Sequence, residues 1–188
     1  MLQKYAFLRE LVYLCRKFFP MSDARRIIRR AVLPADGERI MEVFSAAKTI
    51  MRASGNMHQW GEDYPSLDVV RADARHDGAY VVEDGGTVVG YFAFLSSPEP
   101  TYAEIYGGAW VDDVRPYHVV HRIASTPAAH GVFRSIIDFC FARDKNIRID
   151  THRDNHIMQH VMQWCGFAYC GIIYLANGDE RLAYQRVE

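Results

Sequence analysis

The turn Thr126-Pro127-Ala128-Ala129-His130-Gly131 separates an apolar strand pattern, residues 117–125, from a helical one. A helix that opens straight after such a turn carries its first N–H groups without intrahelical partners. Those groups, at the positive end of the helix dipole, suit a phosphate or another anion. The chemistry offered here is recognition of a phosphorylated ligand by backbone amides at about residues 131–135.

A second set of chemistry-bearing residues lies downstream, where His152, His156 and His160 recur every four positions. At that spacing His156 and His160 share a helix face, which invites a metal reading. His152, however, precedes Asn155, which reads as the helix cap, and no carboxylate is placed with the three. No metal is expected, and His156 and His160 read as a solvated face. The four cysteines, Cys15, Cys140, Cys165 and Cys170, have no C-x-x-C spacing, and three sit in apolar runs. They read as reduced, buried thiols in a cytoplasmic protein.

These residues must be held by a larger frame. Residues 27–32 read as a first strand. Asp36 opens a helix whose apolar positions Ile40, Val43, Phe44, Ala47, Ile50 and Met51 repeat at the helical period. Residues 54–65 form a polar and aromatic loop, and Ser66 caps a short helix ending near Gly78. Strands over residues 79–83 and 87–95 are joined by Asp84-Gly85-Gly86, a hairpin signal. A long connection, residues 96–116, leads to the strand-turn-helix unit. A strand over 146–151 and a helix from Asn155 to Gly166 follow. Strands over 168–175 and 181–187 close the chain around Asn177-Gly178-Asp179. The order β-α-α-β-β-β-α-β-α-β-β describes an α/β, or mixed α+β, fold: a central mixed sheet with helices on both faces.

The 188 residues, 49% hydrophobic, suffice for one domain with a sizeable core. With 22 basic and 23 acidic residues, there is no cationic excess of the kind a nucleic-acid partner requires. No run reaches the length of a transmembrane segment. Residues 1–24 stand apart from the domain, residues 25–188. Tyr5, Leu8, Leu11, Val12, Cys15, Phe18 and Phe19 follow helical spacing, with Lys4, Arg9, Arg16 and Lys17 between them. This amphipathic extension lacks a signal peptide's long apolar region. It could lie on a membrane surface, pack on the domain or a second copy, or precede a true start at Met21.

The stretches I-A-S-T-P-A-A-H-G-V-F-R (residues 123–134) and D-T-H-R-D-N-H-I-M-Q-H-V-M-Q-W-C-G-F (residues 150–167) bear a family likeness. Set in this element order, they resemble the GNAT (Gcn5-related) acyl-CoA N-acyltransferases, over about residues 27–187. The first stands at that family's pyrophosphate loop and the second at its Asn-initiated helix ending in Gly-Phe. Q-W-G-E-D-Y-P (residues 59–65) and Y-C-G-I-I-Y (residues 169–174) look like a bacterial subgroup whose substrates are mostly unassigned.

The resemblance implies an enzyme that moves an acetyl group from acetyl-CoA to a primary amine by direct attack in a ternary complex. A non-catalytic acyl-CoA-binding module of the same fold is the alternative. Acetyl-CoA would be the co-substrate, a small-molecule amine the partner, and homodimers through the closing strands are common in the family. His130, Gly131, Val132, Phe133, Arg134 and Ser135 would hold the pyrophosphate. The backbone of Ile123, Ala124 and Ser125 would pair with the pantetheine arm, supported by Asn155 from the other side. Of the family's loop pattern only Gly131 is present; Ala128 and Phe133 depart from it. His121, two residues before Ile123 and so expected on its face, would accept the proton of the amine, with His152 as a second base or a substrate contact. His118, on the opposite face, is expected to be structural or exposed. Met162 stands where many members carry the tyrosine that protonates the thiolate, leaving Tyr174, Tyr169, Cys165 or solvent. Trp60, Tyr64, Trp110 and Tyr117 would wall the acceptor site, and Glu62, Asp63, Asp112 and Asp113 could hold a cationic substrate.

Overall fold

The computed structural model describes residues 26–188, so the expected amphipathic extension and Cys15 lie outside the described residues. Seven strands and four helices follow in the expected order. They are β1 (Arg26–Arg30), α1 (Gly37–Ala53), α2 (Leu67–Arg75), β2 (Ala79–Asp84), β3 (Thr87–Ser96), β4 (His118–Ser125), α3 (Val132–Phe141), β5 (Asn146–Thr151), α4 (His156–Trp164), β6 (Ala168–Tyr174) and β7 (Glu180–Val187). One sheet holds all seven strands in the order β1-β2-β3-β4-β5-β7-β6. Only β4 and β5 run parallel, and their pairing spans two residue pairs, His118 with Ile147 and Val119 with Arg148. Beyond that point the strands part.

Alternation along the strands builds a core on each face. Val82, Phe92, Val120, Ile147 and Ile149 pack under Val132, Ile136 and Ile137 of α3 and Met162 of α4. Val81, Tyr91 and Ala124 pack under Ile40, Val43 and Phe44 of α1 and Val70 of α2. Each large side chain removed from water in this way contributes on the order of 1.5–3 kcal/mol. The connection between β3 and β4 is more ordered than its sequence shows. Tyr102 and Trp110 stack at 5.6 Å, and with Val119, Cys170 and Ile173 they form a third buried cluster.

The local signals act as their chemistry requires, with two exceptions. Gly85 and Gly86 both adopt positive φ, as a two-residue hairpin with the twist of its strands demands. Ser66 accepts the Val69 N–H and Asn155 accepts the Met158 N–H, so both cap their helices. Asp36 opens α1 at its N-cap as expected, but its side chain makes no bond to the helix. Its carboxylate accepts the Val32 N–H at 2.6 Å and two guanidinium hydrogen bonds from Arg29 at 2.7 and 2.9 Å. That bond turns the chain, so β1 stops at Arg30, not at residue 32. The second exception is in β4. Tyr91 of β3 pairs with Ala124 and Ala93 pairs with His121, so Phe92 faces both Arg122 and Ile123. This β-bulge leaves Arg122 at φ 55°, outside the usual range of a non-glycine residue.

Candidate active site

The parting of β4 from β5 leaves two cavities that meet. The first, about 420 Å³, is walled by Ile123, Ala124 and Ser125 of β4, the turn that follows, and Met158, Val161 and Trp164 of α4. The second, about 550 Å³, is bounded by His58 to Gly61, Tyr64, Glu99, His121, Asp150 and Arg181. Met51, Ile123, Asn155 and Met158 line both.

Gly131 sets the end of the first cavity. It caps α3 at φ 75°, a conformation that suits glycine, with no side-chain cap over the helix. The first helical bond runs from the Ser135 N–H to the Gly131 carbonyl at 3.2 Å. The amides of Val132, Phe133 and Arg134 precede that bond and so have no intrahelical acceptor. Ser135 is a correction: its N–H serves the helix, its hydroxyl also donates to the Gly131 carbonyl, and it lines neither cavity. His130, Val132, Phe133 and Arg134 do line the first. Arg134 is held by Asp138 at 2.9 Å.

The bulge corrects the expected relation of His121 to Ile123. Ile123 packs with Val120 against the α3 core, whereas His121 turns to the other face, edge-on to Tyr102. There its Nε2 lies 3.3 Å from Glu99 and its Nδ1 3.8 Å from Asp150. Glu99 is held down to about 2, first by its hydrogen bond with His121, and burial opposes the shift. Asp150 accepts the Tyr102 hydroxyl at 2.5 Å, and burial pushes that phenol well above its ordinary value. His118 has the expected structural place, stacked on Phe94 and bonded to Asp144.

The four aromatic residues expected around the acceptor divide. Trp60 and Tyr64 line the second cavity. Trp110 and Tyr117 line neither and instead sandwich the buried Arg148 guanidinium at 4.0 and 3.8 Å. Tyr174 also lines neither cavity, because its ring meets Tyr106 edge to face. Tyr169 packs on Tyr184, and Met162 is fully buried. Cys165 faces the first cavity, where burial pushes its thiol up. The acidic residues also differ from expectation. Asp112 is taken up by Arg115 and its own turn, and Asp113 pairs with Arg148. The second cavity is instead lined by Glu99, Asp150 and Asp179.

His152 stands beside the second cavity. Burial lowers its pKa, and its backbone N–H donates to the Gln59 side-chain oxygen at 2.8 Å. The same oxygen accepts from Thr151 and from the Asn155 amide, at 3.0 and 3.2 Å. Gln59 thereby ties the loop after α1 to the start of α4. Arg122 is the other anchor: it donates to Asp73 from Nε at 2.9 Å, beside the Tyr91 hydroxyl on the same carboxylate.

Comparison with known proteins settles the kinship. Neither a protein-family model nor a curated protein matches the sequence. Among solved structures, a GNAT-family acetyltransferase from Streptococcus agalactiae superposes with a TM-score of 0.79 at 30% identity, over 87% of this chain and 95% of that one. This chain belongs to the GNAT acetyltransferase family. Other solved structures share the fold at lower identity. An acetyltransferase from Staphylococcus aureus gives a TM-score of 0.61 at 21% identity, over 86% and 98% of the two chains. A chain of the NatC complex, bound to a Gag peptide and CoA, gives 0.55 at 14% identity, over 87% and 99%. Among the described residues of this GNAT protein, no helix is long and apolar enough to cross a membrane.

Proposed function

We propose that this protein transfers an acetyl group from acetyl-CoA to a primary amine by direct attack in a ternary complex. The observation that carries the reading is the junction at Ile123. There, an open strand edge and a helix N-terminus share one cavity, and an imidazole between two carboxylates floors the next. The amides of Val132, Phe133 and Arg134 hold the pyrophosphate. Beyond Val119 the β4 backbone facing β5 accepts the pantetheine arm as an added strand and supplies N–H groups to the thioester oxygen.

The acceptor enters the second cavity as an ammonium, drawn by Glu99 and Asp150. His121 takes its proton, with Glu99 fixing the ring. The free amine attacks the thioester carbon, and coenzyme A leaves as a thiolate. Its thiol has an ordinary pKa near 8.5, so solvent suffices as the proton source. No step requires Tyr174.

The test is thiol release from acetyl-CoA against a panel of primary amines, with acetyl-CoA affinity measured calorimetrically. Saturable binding with amine-dependent release is expected. Binding without release from any amine would favour an acyl-CoA-binding module, and no binding of any coenzyme A species would end the reading.

A further inference from the structure

We propose that His58, His152 and Asp154 form a binding site for a divalent transition-metal ion of the zinc class, at the rim of the second cavity. The three come from two segments, the loop after α1 and the turn between β5 and α4. One ligand atom from each lies within 4.8 Å of the other two. Nδ1 of both imidazoles lies close to one carboxylate oxygen: Oδ2 of Asp154 is 3.2 Å from His58 and 3.4 Å from His152. Tetrahedral zinc with bonds of about 2.0–2.1 Å places its ligand atoms about 3.3 Å apart, so these two edges already have the length that coordination requires.

The hydrogen bonding around His152 fixes the tautomer that ligation needs. Its Nδ1 accepts the Asp154 backbone N–H at 3.2 Å, so the ring proton sits on Nε2 and Nδ1 is the basic nitrogen. An ion bound at Nδ1 takes the lone pair from that long hydrogen bond, with Oδ2 of Asp154 3.4 Å from the same nitrogen. The turn is already fixed, because Gln59, next to His58, accepts the His152 N–H. Two neutral imidazoles and one carboxylate suit zinc and its neighbours better than calcium or magnesium, which prefer oxygen. With three protein ligands, water completes the sphere. The ion would staple the acceptor loop, which carries Trp60 and Tyr64, to the turn before Asn155. The histidine spacing along α4 gives no hint of this, since His58 is 94 positions before His152 and neither His156 nor His160 takes part.

The inference does not rest on acetyl transfer, and its test is independent of activity. Untagged full-length protein is titrated with zinc chloride by calorimetry, and cobalt(II) is added in parallel to read its visible absorption. We expect one ion per chain and a tetrahedral cobalt spectrum without thiolate charge-transfer bands. His58→Ala and Asp154→Asn should each weaken binding at least tenfold and abolish metal-induced thermal stabilisation. His156→Ala, on the exposed face of α4, should leave both unchanged. Absence of saturable binding, or binding that both substitutions leave intact, overturns the proposal. So does a thiolate band, which would place the ion on a cysteine.

Discussion

Nε2 of His121 lies 3.3 Å from Glu99 while Nδ1 of the same ring lies 3.8 Å from Asp150, so one imidazole is flanked by two carboxylates. In the function proposed above, the two carboxylates draw the cationic amine and the ring between them takes its proton.

Replacing His121 with Ala removes the proposed proton acceptor and leaves the first cavity untouched, because the side chain does not line it. Turnover is expected to fall by about 10²–10⁴-fold, with acetyl-CoA affinity unchanged by calorimetry. Turnover and a pH–rate profile like the parent's would place the base elsewhere.

Glu99 titrates in the folded protein at about 2 against an ordinary 4.5. The sign follows from linkage: a carboxylate lowered on folding adds stability that is fully present above about pH 4.5 and is lost as pH falls through about 2. Thermal melts should therefore show Glu99→Gln less stable than the parent at neutral pH, on the order of 1–2 kcal/mol after solvent screening. The difference should vanish towards pH 2. A difference that persists in acid would mean the carboxylate is not the source.

Asp73 is buried and receives the Arg122 guanidinium and the Tyr91 hydroxyl. Asp73→Ala leaves an uncompensated cation beneath the bulge. A loss of about 3–5 kcal/mol in chemical denaturation is expected. A loss below about 1 kcal/mol would show that solvent reaches Arg122.

Phe133 lines the first cavity and packs partly against the α3 core. Phe133→Gly opens space by the expected pyrophosphate while keeping every backbone amide. Acetyl-CoA affinity should stay level or improve on titration, at a stability cost of about 1 kcal/mol or more from glycine in a helix. A large loss of affinity would count against this turn as the phosphate cradle.

Much of this architecture is legible in the chain, and the exceptions have physical causes. Ser66, Asn155 and Gly85-Gly86 act through their own immediate backbone, so local sequence reveals them. Asp36 resembles them but is captured by Arg29, whose strand position brings it alongside only after folding. His121 was identifiable by its strand, yet its orientation depends on a bulge that no alternation pattern records. Glu99 comes from an irregular connection with no periodicity, so its partnership with His121, 22 positions on, needed the fold. Trp110 and Tyr117 looked like free aromatic surface because Arg148, which they enclose, lies on another strand.

The gateway framed by Met51, Ile123, Asn155 and Met158 also has a use for inhibitor chemistry. In the function proposed above, an amine joined covalently to the sulfur of coenzyme A through a two-carbon bridge threads that opening and occupies both chambers at once. Tethering makes the second engagement intramolecular, so the hybrid should bind far more tightly than either half.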